Sequence, residues 1–123
     1  MSRGPDSPAV GEAWEARAAR FLEHQGLTII ARRYRCRLGE LDLVASDGSG
    51  LVIVEVKARG HGGSSLASIG AGKRRRIVNA TRHFLMRHNQ WHDRPIRFDV
   101  IGFDEIDSNQ PRMRWIRSAF DAA

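Results

Sequence analysis

Residues 39–59 read Gly39-Glu40-Leu41-Asp42-Leu43-Val44-Ala45-Ser46-Asp47-Gly48-Ser49-Gly50-Leu51-Val52-Ile53-Val54-Glu55-Val56-Lys57-Ala58-Arg59. Two runs of strand-forming residues, 40–45 and 51–58, flank a segment of Ser, Asp and Gly that favours a turn. The reading is a hairpin. Side chains alternate across a strand, so Val52, Val54, Val56 and Ala58 share one face and Ile53, Glu55, Lys57 and Arg59 the other. The second strand therefore starts apolar on both faces and ends charged on one. Glu40 and Asp42 share a face of the first strand, and hairpin pairing lets Asp42 approach Glu55.

Adjacent carboxylates repel, and each then favours a proton. A bound divalent cation reverses that cost. Asp42, Glu55 and the carbonyl of Val56 are the hard oxygen donors that Mg²⁺ takes, with Mn²⁺ as its substitute. Lys57 stands where it can orient or deprotonate a water on such an ion. The ion would lower the pKa of that water and neutralise charge on a phosphate, which is the equipment of phosphodiester hydrolysis. Glu40 is a supporting or alternative ligand. A solvated hairpin with ion pairs among Glu40, Asp42, Glu55, Lys57 and Arg59 has the same pattern, and the spacing alone leaves both readings open.

Outward from the hairpin, Val10, Trp14, Ala18, Phe21, Leu22 and Gln25 recur at helical spacing, which predicts a helix over residues 10–25 ended by Gly26. A strand follows over 27–33, with 34–38 as a basic connection or a continued strand end. Residues 60–72, rich in Gly and Ser, read as a mobile loop. A second helix is expected over 73–88, with Ile77, Thr81, Phe84, Leu85 and His88 inward. Strands are expected over 96–103 and 113–117. Residues 1–9 read as a flexible arm and 10–120 as a single domain. The order predicts an α/β fold, a mixed sheet of four to five strands flanked by helices.

The chain has 123 residues, the size of one domain. Its single cysteine, Cys36, excludes an internal disulfide and a Cys-based zinc site, and makes the cytoplasm the default compartment. No apolar run approaches the roughly 20 residues that cross a bilayer. With 20 Lys plus Arg against 14 Asp plus Glu the net charge is +6, which draws the protein to polyanions such as nucleic acid. Lys73-Arg74-Arg75-Arg76 opens the second predicted helix, where cations are unfavourable unless a phosphate binds. These four, with Arg32, Arg33, Arg35, Arg37 and Arg59, are the candidate contacts to a DNA backbone.

Asp42 followed by Glu55-Val56-Lys57 resembles the PD-(D/E)xK nuclease signature. The wider set, Gly39 to Leu43, Val54 to Arg59, Lys73 opening a helix, and Arg97-Phe98-Asp99-Val100-Ile101, resembles the bacterial YraN family over about residues 10–104. That resemblance implies a restriction-endonuclease-like fold similar to archaeal Holliday-junction resolvases, which are Mg²⁺-dependent, dimeric and cut branched DNA. It carries an acid on the first helix, an Asp and a Glu-x-Lys onto Glu12, Asp42, Glu55 and Lys57. The sequence departs from the family at Arg33, where an Asn is usual. At 100° per residue Glu12 lies about 160° around the helix from Trp14, so a plain helix-start carboxylate is its other reading. Arg97 and Asp99 share a strand face and are read as ion-pairing groups. The expected activity is a Mg²⁺-dependent DNA endonuclease, on branched or damaged DNA, working as a homodimer. A catalytically inactive nucleic-acid-binding module and a protein-interaction module are the alternatives.

Overall fold

The computed structural model describes residues 8–60 and 69–122. The order is α1 (Pro8–His24), β1 (Thr28–Cys36), β2 (Gly39–Ser46), β3 (Leu51–Ala58), α2 (Ala71–Arg87), a 3₁₀ turn (Asn89–Trp91), β4 (Ile96–Asp104) and β5 (Arg112–Phe120). The five strands form one sheet in sequence order. All neighbours are antiparallel except β3 and β4. A parallel pair needs a crossover, and α2 supplies it. The α/β architecture is the expected one. None of the described helices is long and apolar enough to cross a membrane.

The two helices cover opposite faces of the sheet. Ala18, Ala19 and Leu22 of α1 pack on Leu43, Ala45, Val52, Val54, Ile101 and Phe103. Ile77, Val78, Ala80 and Phe84 of α2 pack on Leu41, Val44, Leu51, Ile53 and Phe98. Burying each large side chain stabilises by roughly 1.5–3 kcal/mol. β3 lies between both layers, which is why it reads as an almost continuous apolar run.

Several boundaries differ from the sequence reading. β1 runs on to Cys36, which takes the continued strand end over the basic connection, because its register with β2 continues to Cys36↔Gly39. β5 extends to Phe120 although most of it is exposed, since pairing with β4 holds it. Residues 8 and 9, assigned to the arm, belong to α1, and residues 1–7 lie outside the described residues. Of the predicted loop, 61–68 lie outside the described residues, while 71 and 72 already belong to α2.

Two glycines let backbones meet. A Cβ on Gly39 would lie 2.7 Å from the Arg76 carbonyl oxygen, so the β1–β2 turn seats directly on α2. A Cβ on Gly50 would lie 2.1 Å from the Pro95 oxygen, which accepts a hydrogen bond from Leu51 N–H at 2.9 Å.

One rung of the β1–β2 ribbon is irregular on both strands. Arg33 has φ 52°, a conformation rarely adopted by long side chains. It lies between the pairs Arg32↔Leu43 and Tyr34↔Leu41, hence across from Asp42. On the other strand, Leu41 joins the α2-side core and Leu43 the α1-side core, although strict alternation would put both on one face. The break falls at Asp42.

Candidate functional site

The β2–β3 ladder ends at Leu43↔Val54. One residue beyond, Asp42 Oδ2 accepts a hydrogen bond from Val56 N–H at 2.8 Å. Its carboxylate thus occupies the opening where the two strands part. Glu55, on β3, shares a hydrogen bond with Asp42, and Lys73 Nζ at the start of α2 is 2.6 Å from Glu55 Oε1. These three side chains, with Glu40, Arg76 and Ile77, line a cavity of about 150 Å³. From α1, Glu15 reaches Asp42 and shares a hydrogen bond with it. Arg33 Nε stands 3.7 Å from Glu15 Oε1. The result is a row of groups, Arg33, Glu15, Asp42, Glu55, Lys73, with three carboxyls between two cations.

The row is electrostatically stressed. Burial, then the negative charge of Asp42, push the Glu55 carboxyl up to about 7, against the opposing pull of Lys73. Burial and Asp42 push Glu15 up to about 7 as well, with Arg33 opposing. Burial also raises Asp42, while the Val56 N–H, Glu55 and Lys73 hold it down. Burial, Arg59 and Lys73 lower the Lys57 ammonium, and Glu55 opposes them. Glu15 Oε1 is buried and accepts no hydrogen bond among the described residues.

Among the described residues no three His, Cys, Asp or Glu side chains surround a common point that could hold a metal ion. Mg²⁺ does not require that, because it usually takes one or two carboxylates and keeps several waters. Asp42, Glu55 and the Val56 carbonyl are a donor set of that kind. The stress on the two carboxyls and the orphaned Glu15 oxygen are what an added cation, or water ordered by one, would relieve.

The structure distributes the sequence candidates unevenly. Asp42, Glu55, Glu40, Lys73 and Arg76 line one cavity. Lys57 is buried and does not line it; Lys73 pairs with Glu55, whose charge also acts on Lys57. Glu12 does not reach the cluster: its side chain is 61% exposed and pairs with Arg33. The helix carboxylate at the site is Glu15. The signal for it is present in the sequence, since Glu15 precedes Ala18 and Leu22 of the apolar stripe by three and seven residues, and both are fully buried. Arg33 is turned toward Glu12 and Glu15, and Arg35 pairs with Glu40 at 3.3 Å. Arg32, Arg37, Arg59, Arg74, Arg75 and Arg76 are exposed. Arg97 pairs with Asp99 on its own strand, and Asp99, fully buried, also accepts hydrogen bonds from Trp115 Nε1 at 2.9 Å and Ser118 N–H at 3.0 Å. That pair staples β5 to β4 where their register shifts.

The family model described as "Uncharacterised protein family UPF0102" matches residues 14–103. A UPF0102 protein of Alcanivorax borkumensis is 45% identical over 112 residues, 89% of this chain and 90% of its own length. One of Methylobacillus flagellatus is 44% identical over 115 residues, 92% of this chain and 97% of the relative. One of Pseudomonas paraeruginosa is 44% identical over 125 residues, spanning 99% of this chain and all of the relative.

Proposed function

The chain belongs to the uncharacterised protein family UPF0102, the YraN family, and on that premise we propose that it is a divalent-metal-dependent nuclease acting on DNA. The observation that carries the reading is the meeting of Asp42 and Glu55 in the opening between β2 and β3, with the exposed Arg76 lining the same cavity. Asp42, Glu55 and the carbonyl of Val56 would hold Mg²⁺ or Mn²⁺. The ion would supply Lewis acidity toward a phosphate and a water of lowered pKa. Lys57, its ammonium destabilised by burial, is suited to orient the attacking water or take its proton. Glu15 adds a buried acceptor oxygen on the far side of Asp42. Arg76, with Arg74 and Arg75, binds the DNA backbone at the start of α2, and Lys73 joins them when the metal takes its place at Glu55. Arg32, Arg37 and Arg59 extend that contact. The resemblance to resolvases makes branched DNA the first substrate to try and a homodimer the expected assembly.

The test is cleavage of a four-way junction, a blunt duplex and a single strand with Mg²⁺ or Mn²⁺, for the wild type, Asp42→Asn and Glu55→Gln. The expected result is metal-dependent cutting that both variants abolish while salt-sensitive binding persists. Binding without cutting under every metal would leave a nucleic-acid-binding module. Neither binding nor cutting would favour a protein-interaction module.

A further inference from the structure

Helix α2 separates two unlike surfaces. Lys73, Arg76 and Ile77 face the acidic cavity, whereas Arg74, Arg75, Val78, Asn79 and Arg82 face a groove on the other flank. The groove has two compartments. One, of about 400 Å³, has an apolar floor that includes Val78, Leu85, Ile96, Phe98 and Phe120. The other, of about 270 Å³, is lined by Arg74, Arg75 and Asn79. Val78, Arg82, Asp121 and Ala122 border both, so the two are continuous.

We propose that this groove binds one unpaired nucleotide, its base in the apolar compartment and its phosphate on Arg74, Arg75 and Arg82. The inference rests on the nucleic-acid reading above, and it narrows the substrate to DNA that presents an unstacked base. Phe98 and Phe120 stack with centroids 5.0 Å apart and planes 18° from parallel, which gives the compartment a flat aromatic wall. Its size falls within the range of small-ligand sites. Of the two hydroxyls that line it, Thr81 is already committed to the Ile77 carbonyl at 2.8 Å, which leaves Ser118 alone to meet a base edge. The wall therefore favours stacking over reading of base edges, and every base has a face to stack. Arg97 on the rim is engaged by Asp99. Among the described residues, Arg74, Arg75 and Arg82 form no ion pair with a carboxylate, and Asp121 is the one acid lining either compartment. A flat apolar body joined to an anionic group matches this arrangement. A simple alkyl carboxylate matches the floor but leaves most of the three cations unanswered. A paired base inside a duplex cannot enter at all. An α-helix with its side chains is about 10–12 Å wide. A strand passing over the start of α2 can thus hold one phosphate at Arg76 and a neighbouring nucleotide in the groove.

The test is methyl and aromatic NMR of the full chain titrated with thymidine monophosphate, a single-stranded oligonucleotide, a blunt duplex of the same length and octanoate. Both thymidine monophosphate and the single strand are expected to shift Val78, Leu85 and Ile96 methyls and the Phe120 ring. Phe120→Leu, which keeps apolar volume but removes the stack, should weaken single-strand binding about tenfold and leave duplex binding unchanged, and Arg82→Glu, at an exposed position, should weaken single-strand binding more than duplex binding. Oligonucleotide shifts confined to the Ile77 side of α2 would overturn the groove proposal and leave the nucleic-acid reading standing. Groove shifts with octanoate but not with thymidine monophosphate would overturn it in favour of an acyl ligand. No shift with any oligonucleotide would overturn both.

Discussion

Replacing Glu55 by Gln should make the protein more stable at pH 8 while changing it little at pH 5. Glu55 is buried beside Asp42, and its carboxyl is pushed from 4.5 up to about 7. Between those values the folded state keeps a proton that the unfolded chain has released. Stability is therefore fully present below pH 4.5 and is lost as pH rises through about 7. At about 1.4 kcal/mol for each tenfold step, the loss has a ceiling of about 3 kcal/mol. Glu15 titrates in the same window, but it shares Asp42 with Glu55, so the two losses are less than additive. Glutamine keeps the shape, can donate to Asp42 and cannot ionise. It forfeits the Lys73 ion pair, whose lysine is half-exposed and contributes little by comparison. The expected outcome is a variant more stable than wild type by about 1–3 kcal/mol at pH 8, or roughly 3–6 °C in melting temperature for each kcal/mol. Thermal melts by circular dichroism at pH 5, 6, 7 and 8, without divalent metal, measure it. A stability difference that stays constant across that range would mean Glu55 ionises normally in the folded protein, and the account of a stressed carboxyl row would fail.

At pH 8, Mn²⁺ or Mg²⁺ should raise the wild-type melting temperature, by the equivalent of about 2.7 kcal/mol at a hundred times Kd, and leave Asp42→Asn and Glu55→Gln unmoved; equal shifts in all three would place the ion elsewhere. Asp99→Asn should destabilise by about 3 kcal/mol in urea titration, because it breaks a buried charge pair and the tie to Trp115. Gly50→Ala should cost about 3 kcal/mol or more in the same assay, since its methyl would collide with the Pro95 carbonyl. Arg33→Asn should stabilise by about 1 kcal/mol at pH 5, where relief of the left-handed backbone dominates, and lose that gain by pH 8, where Glu15 misses its counter-charge; matched melts at the two pH values decide it.

What was legible in the sequence was what depends on local pattern. The Asp-Gly-Ser-Gly turn, the apolar run of β3 and the inward stripe of α2 fixed the hairpin, the central strand and the crossover helix. β5 was read three residues short at its end because its exposed residues carry no period, and only the ladder with β4 makes it a strand. The approach of Asp42 to Glu55 follows from the hairpin, although the ladder stops one rung short of that pair. The family pattern points to Glu12, whereas Glu15, one turn later, shares the side of the helix that carries Ala18 and Leu22. Lys73 was read as a DNA contact, and its ion pair with Glu55 depends on how α2 docks on the sheet, which periodicity does not specify.

The site lies where the sheet stops obeying its own alternation. Had β2 stayed regular, Leu41 and Leu43 would share a face and Asp42 would point squarely to the opposite one, instead of filling the gap between β2 and β3. Across the ribbon, Arg33 adopts a left-handed backbone on the same rung, and an Asn at that position, usual in the resembling family, is among the residues that tolerate it best. That conformation costs about 1–2 kcal/mol, and the raised carboxyls add more at neutral pH. A domain of this size has only about 5–15 kcal/mol in total. Unfavourable terms of that size, gathered on one rung and its two neighbours, are hard to explain as packing, because an apolar side chain at Asp42 or Glu55 would remove the charge repulsion. On the proposed metal-binding reading a cation at the two carboxylates offsets them, and the thermal response to divalent metal at pH 8 tests that directly.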